Sequence, residues 1–464
     1  MRALLPRRKS SQLKFLPSGR NSTVAVIGFG YVGSCIGVTL AGRGIRVSGI
    51  DSNPELVAEM TAGQCRFNDP GLARALRQAR DSGRLAMSGD YATAAGCDVI
   101  IIAVGTPITA DRAIVTEHLE AACATLAPHL RAGQLVVLKS TVAPGSTRGI
   151  VAPLLERSGL VAGRDFGLAF CPERLAEGNA LAQFLSIPIV VGGYDPASAA
   201  AACAFWAGAL GVQVQQFASP EVAELVKLTD NWWIDANIAL ANELAQFCGA
   251  MDADVDVLDV IAGANSLPKG TGHVNVLLPS VGVGGSCLTK DPWILWRSGS
   301  ARGVQLRTAE VGRQVNDTMP AYTHGLIVDG LTALGKDPDT ARVCVLGLSF
   351  KNNTNDLRST PVLPVVQALR DSCGAVTIYD CLVTEEAAAD CFGMQPAPSW
   401  QDAVQGADCV AVLAGHDEFA ALDFADLAGR VSMPCLVVDG RAYYPRATIE
   451  KMRGLGFTYR GIGR

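Results

Sequence analysis

Apolar, β-branched runs alternate along the chain with helical patterns, and most of the runs stop at a glycine or a small polar residue. Thr23–Ile27 (Thr-Val-Ala-Val-Ile) is the first run, and its unbroken apolarity predicts a buried strand. A helical pattern over 34–41 and a second strand over 45–50 follow. Further strands are predicted over 97–105, 134–139, 166–170 and 187–191. The pattern changes at 221–246, where no Gly or Pro interrupts the chain and one long helix is predicted. Another helix is read over 252–262. Strand-like runs return at 342–348, 375–379, 407–413 and 435–439, with a helix over 362–372. Strands that alternate with helices predict an α/β protein with parallel sheets.

The junctions between elements carry the first chemical signal. Gly28-Phe29-Gly30-Tyr31-Val32-Gly33 links the first strand to the first helix, and Asp51 ends the second strand. This is the full dinucleotide fingerprint. Gly28 serves the tight turn, Gly30 the approach of a pyrophosphate, Gly33 close packing of helix on strand, and Asp51 a ribose hydroxyl. Tyr31 and Val32, inside the turn, count with the cofactor-binding residues, because a helix N-terminus offers amides to phosphate. Ser52 and Asn53 follow Asp51, with no Arg to meet a 2′-phosphate, so NAD is expected rather than NADP. Thr106, Thr141 and Glu173 each lie just past a predicted strand end, the edge where open α/β sheets bind ligands. Near residue 347 a second strand-and-glycine turn has lost two of the glycines, and Asp380 ends the strand after it. The expected architecture is two Rossmann-like domains, 22–218 and 335–464, joined by a long central helix and a helical dimerisation region over 219–325.

Composition narrows the picture. The 464 residues are 49% hydrophobic and 18% charged, enough for several cores, and the net charge of −5 gives no footprint for nucleic acid. Fourteen cysteines without zinc-type spacing predict a reducing, cytoplasmic setting and no metal site. No apolar run is long enough for a membrane span. Residues 1–21 carry basic side chains and no acid, and are expected to form a flexible solvated tail.

Cys287 is the candidate nucleophile. It stands in Gly282-Val-Gly284-Gly285-Ser286-Cys287, where the glycines suggest close approach to a ligand, and Lys290 and Asp291 follow within a turn. A neighbouring cation favours the thiolate, and a carboxylate one turn away can handle water. On the long helix Lys227 and Asn231 are spaced i, i+4 and share a face. Lys227 reads equally well as a stem snorkelling to solvent. Phe350, Lys351 and Arg358 follow the altered glycine turn and could meet a diphosphate, or Arg358 could simply pair with Asp356.

Taken in order, Gly28 to Gly33, Gly105-Thr-Pro107, Ser140-Thr-Val-Ala-Pro-Gly145, Pro172-Glu-Arg174, Gly282 to Asp291 and Gly347 to Arg358 resemble the UDP-glucose/GDP-mannose dehydrogenase family over about residues 22–455. The resemblance implies a four-electron, NAD-dependent oxidation of a nucleotide sugar at C6 to a uronic acid. It implies Cys287 as thiohemiacetal and thioester carrier, with Lys227 and Asn231 at the oxyanion. It also implies Asp291 positioning water and Thr141 and Glu173 serving the water and base cluster. Glu173, Arg174, Lys227, Asn231, Gly284, Gly285, Phe350, Lys351 and Arg358 would face the UDP-sugar. A homodimer or higher homo-oligomer built on the long helix is implied as well. Pro172-Glu-Arg174 and Asp291-Pro-Trp293 resemble the branch acting on UDP-N-acetylhexosamines, while Ser286 is as in UDP-glucose enzymes and His273 replaces that branch's usual Arg. GDP-mannose is a further substrate reading. A two-electron hydroxyacid-type dehydrogenase and a non-catalytic dinucleotide sensor are the competing classes.

Overall fold

The computed structural model describes residues 14–15, 22–175, 177–251 and 254–464. Contacts divide the chain into two compact units, Met1–Thr229 and Asp230–Arg464, and the division falls inside the 30-residue helix Pro220–Gly249.

The first unit is built on an eight-stranded sheet. Its strands are β1 (Thr23–Ile27), β2 (Arg46–Ile50), β3 (Leu85–Ser88), β4 (Val99–Ile102), β5 (Leu135–Leu138), β6 (Gly167–Phe170), β7 (Ile189–Gly193) and β8 (Val214–Phe217). They lie in the order β3-β2-β1-β4-β5-β6-β7-β8, all parallel except β6 against β7. Val24, Val26, Ile101 and Val137 feed the core on one face, while Ala25, Ile27, Ile100 and Leu138 feed the other. Burial on both faces explains why these strands read as unbroken apolar runs. The predicted segments 97–105 and 134–139 contain β4 and β5, but their ends leave the sheet as loops, and those loops carry Thr106 and Thr141. The first helix starts earlier than its pattern suggested, at Tyr31, directly on the glycine turn. β3 and β8 were not predicted. They are the two edges of the sheet, and the half-exposed residues of an edge leave no apolar run.

Most of the expected tail, 1–21, lies outside the described residues. Lys14 and Phe15 are described: Lys14 is exposed, whereas Phe15 departs from the solvated tail. The Phe15 ring is buried against Gly167, and the Lys14 ammonium donates to the Gly163 carbonyl at 2.8 Å.

The second unit holds an antiparallel pair, β9 (Pro268–Lys269) and β10 (Gly272–His273), and a five-stranded parallel sheet. Its strands are β11 (Arg342–Leu346), β12 (Ala375–Tyr379), β13 (Cys409–Val412), β14 (Leu436–Asp439) and β15 (Thr458–Gly461). The order is β12-β11-β13-β14-β15. Of the helix read over 252–262, Asp252 and Ala253 lie outside the described residues. The helix itself runs Val257–Asn265, and the Asp256 carboxylate caps it by accepting from Leu258 N at 2.9 Å.

The helix Arg307–Ala333 escaped the sequence pattern because Pro320 interrupts it and its buried face is partly polar. Arg313 on that helix donates to Asp235 on the long helix at 2.6 Å, with both side chains buried. Burial pushes the Asp235 carboxyl upward, against the pull of Arg313. Asn316 also donates to Asp235 and accepts from Asn242, whose own carbonyl accepts from Ser280 N at 2.8 Å. This polar ladder fixes the segment that leads into Cys287. Among the described residues no helix is long and apolar enough to cross a membrane.

Candidate active site

The carboxyl ends of β1, β4, β5 and β6 are level: Ile27 pairs with Ile102, Ile102 with Leu138, and Leu138 with Phe170. The loops after them therefore leave along one edge. At β1, a Cβ on Gly33 would stand 1.9 Å from the Gly28 carbonyl oxygen, so only glycine lets this helix pack so close. Gly30 faces the other way. It is extended, it caps the helix, and a Cβ there would meet nothing within 4 Å. That open side, beneath the first helical amides, leaves room that a pyrophosphate could take. Asp51 accepts from Phe29 N at 2.7 Å and from Asn53 N at 2.9 Å while remaining half-buried. One carboxylate thus braces the glycine turn and still reaches solvent, where it could meet a ribose hydroxyl. Tyr31 donates to Asp69 at 2.6 Å, and Asp69 also accepts from Gly178 N at 2.9 Å. Burial, reinforced by Asp69, drives the phenol's pKa far upward, so Tyr31 stays protonated and acts as a brace.

Two of the threonines selected from the sequence meet: Thr106 Oγ1 donates to the Thr141 carbonyl at 2.6 Å. Glu173 and Arg174 line a small cavity with Lys139 and Phe184. Sequence reasoning missed Lys139. Its ammonium is buried, donates to the carbonyls of Cys171 and Pro172 at 3.1 and 3.2 Å, and lies 5.0 Å from the Trp206 ring centre. Burial lowers its pKa. It holds the turn that presents Glu173. Glu224 was missed as well. Its carboxylate accepts from Gly145 N at 2.6 Å, Thr147 N at 2.9 Å and Thr147 Oγ1 at 2.6 Å, which pins the loop after Thr141. Burial pushes its pKa upward. Lys227, three residues further along, is only 5% exposed, so the snorkelling reading fails.

In the second unit Cys287 is half-buried, and its carbonyl accepts from Lys290 N and Asp291 N at the start of the helix Asp291–Ser300. Asp291 is fully buried. Lys290 Nζ lies 2.7 Å from its Oδ1, and Asn231 Nδ2 lies 2.5 Å from its Oδ2. Both contacts bear on Asp291. The Lys290 charge is directed at Asp291, and the Asn231 amide holds the same carboxylate.

The glycines before the thiol also serve a packing role that the sequence did not show. A Cβ on Gly284 would fall 2.4 Å from Phe350 Cβ and 2.7 Å from the Ser359 carbonyl, and one on Gly285 would meet the Phe350 ring at 2.8 Å. What approaches these glycines is protein, namely the loop after β11. Gly285 N also donates to the Arg358 carbonyl at 2.9 Å. Arg358 pairs with Asp356 at 2.5 Å, the alternative weighed in the sequence. The arrangement joins a half-buried thiol, a caged carboxylate and a basic loop.

Three domain descriptions of one family match in sequence along the chain: its NAD-binding domain over 22–208, its central domain over 221–318 and its UDP-binding domain over 344–446. The chain belongs to the UDP-glucose/GDP-mannose dehydrogenase family. It is an NAD-dependent dehydrogenase of that family, an oxidoreductase with a UDP-binding domain. A UDP-N-acetyl-D-mannosamine dehydrogenase of Pyrococcus horikoshii is 32% identical, over 95% of this chain and 99% of the relative. A solved UDP-D-ManNAc dehydrogenase from Pyrococcus horikoshii superimposes with a TM-score of 0.85 at 30% identity, covering 95% of this chain and 99% of the other. A UDP-glucose dehydrogenase from Pyrobaculum islandicum gives 0.84 at 31% identity, covering 99% of this chain and all of the other (100%).

Proposed function

We propose that this enzyme oxidises the C6 alcohol of a UDP-N-acetylhexosamine to the UDP-uronic acid, with UDP-glucose as the second substrate reading. The observation that carries the proposal is the packing of Phe350, on the loop after β11, against Gly284 and Gly285, just ahead of Cys287. A loop suited to a nucleoside diphosphate and a nucleophilic thiol are thereby built as one piece. The names of the relatives favour the N-acetylhexosamine, while Ser286 keeps UDP-glucose in play.

The glycine turn Gly28–Gly33 and Asp51 would hold NAD, which would supply the hydride acceptor for each oxidation, two NAD molecules being used per turnover. Between the two oxidations the Cys287 thiolate adds to the C6 aldehyde and forms a thiohemiacetal. The second oxidation leaves a thioester on the same sulfur. Water then attacks the acyl carbon, the C–S bond breaks, and the carboxylate leaves with the thiol restored. Asp291, held by Lys290 and Asn231, positions that water. The buried Lys227 ammonium stabilises the oxyanion. Thr141 and Glu173 serve the proton transfers, with Lys139 and Glu224 holding their loops. Arg174, Lys351 and Arg358 contact the UDP-sugar.

The test counts NADH per molecule consumed across UDP-N-acetylhexosamines, UDP-glucose and GDP-mannose. Two are expected from one of the UDP-sugars, and one would favour the two-electron reading. Cys287→Ser is expected to abolish complete turnover, and near-normal turnover would remove the thioester route.

The enzyme is further proposed to work as a homodimer in the cytoplasm. All 14 cysteines are free thiols, in keeping with a reducing compartment. Trp233, Leu240 and Phe247, spaced by seven and so on one face of the long helix, are 49%, 54% and 66% exposed. Apolar surface of this kind marks an interface.

A further inference from the structure

The two sheets repeat one piece of geometry. Gly28 and Gly347 both have φ of 84°. Asp51 accepts from Phe29 N at 2.7 Å, and Asp380 accepts from Leu348 N at 2.7 Å. Ile27 pairs with Ile102 as Leu346 pairs with Val412. Four residues past each of those last partners stand Thr106 and His416. His416 therefore occupies, in the second unit, the place of a cofactor-side threonine in the first.

Its surroundings differ sharply from those of Thr106. His416 is 1% exposed. Its Nε2 lies 3.0 Å from Asp380 Oδ2, and its Nδ1 accepts from Asn353 N at 2.8 Å. A backbone N–H can only donate, so the ring carries its proton on Nε2 and gives it to Asp380. Asp380 also accepts from Leu382 N and Val383 N, and is buried where Asp51 is half open. The loop after β11 is stitched to the same segment at further points. Asn352 Oδ1 accepts from Gly415 N at 2.9 Å. The Asn353 side chain exchanges hydrogen bonds with Asp417 at 2.9 and 3.0 Å. Arg441 Nη2 donates to the Phe350 carbonyl at 2.7 Å. Asn353 itself is held at φ 58°, a conformation that needs such support.

We propose that His416 is a positioning residue for nucleotide-sugar binding. It seals the crevice where a second dinucleotide ribose would sit, and through Asn353 it fixes the Ser349–Thr354 loop that carries Phe350 and Lys351. The proposal deepens the functional reading above and rests on its assignment of that loop to the UDP-sugar.

The experiment measures the dissociation constants of UDP and NAD by calorimetry, together with KM, kcat and the unfolding midpoint. His416→Phe removes both ring hydrogen bonds. His416→Asn keeps an acceptor near Nδ1. His416→Phe is expected to weaken UDP binding and raise KM for the UDP-sugar about tenfold, the scale of one lost buried hydrogen bond, while the NAD constant stays unchanged. His416→Asn should recover UDP binding to within about threefold, which a purely structural role would not produce. Should His416→Phe fail to fold, Asn352→Ala removes a separate stitch of the same clip, and a roughly threefold loss of UDP affinity is expected. UDP binding unchanged in a folded His416→Phe, or in Asn352→Ala where that substitutes for it, overturns the positioning role and leaves the functional reading standing. A parent chain that binds no UDP sinks both.

Discussion

At the scale of single residues, the chemistry that was legible in the sequence is the chemistry whose partners are close along the chain. Asp51 follows its glycine turn by one helix and one strand, and Cys287 sits among its own glycines with Asp291 four residues on. Lys139, Asp69, Glu224 and His416 were invisible. Each acts through a residue that the fold brings from far away, as Glu224 reaches Gly145 and His416 reaches Asn353. Lys227 was ambiguous for a related reason, since spacing on a helix does not say which face is covered. Its burial decides the matter and sharpens its test. Removing a preorganised charge from a developing oxyanion typically costs about 100- to 1,000-fold in rate. Lys227→Ala is therefore expected to lower kcat by about that factor while the NAD dissociation constant stays close to that of the parent. A loss under about threefold would place Lys227 away from the reaction.

At the scale of elements, central strands and the uninterrupted long helix were readable because burial on two faces, or freedom from breakers, writes itself into composition. Edge strands β3 and β8 and the proline-bearing helix Arg307–Ala333 were not, since each hides its role behind exposed or polar positions. The glycine loop before Cys287 was recognised, but the protein that packs against it was not. Its small residues admit Phe350 and the Ser359 carbonyl, and that contact has a measurable cost attached. Gly284→Ala would push a methyl to 2.4 Å from Phe350 Cβ, a gap that backbone and ring must both yield to relieve. Overpacking of this kind destabilises by about 1–3 kcal/mol. Gly284→Ala should lower the unfolding midpoint and raise KM for the UDP-sugar, with steady-state kinetics and thermal melts as the checks. An unchanged KM would uncouple the thiol loop from the nucleotide loop.

At the scale of the whole molecule, the exposed stripe of Trp233, Leu240 and Phe247 predicts assembly. Light scattering at micromolar concentration should give twice the 48.5 kDa chain mass, and Leu240→Glu should shift it toward the single-chain value. A parent protein that runs at the single-chain mass would overturn the dimer. The repeated glycine-and-acid turn has a consequence of another kind. Asp51 remains reachable, whereas Asp380 is closed over by His416. On the proposed four-electron route, the electrons would leave through one seat, in two visits. On that proposal, a spent carrier would depart and a fresh one arrive while the half-oxidised sugar waits on sulfur. The yield of finished acid would then depend on patience as much as on speed: the proposed Cys287 adduct would have to outlive an exchange of passengers.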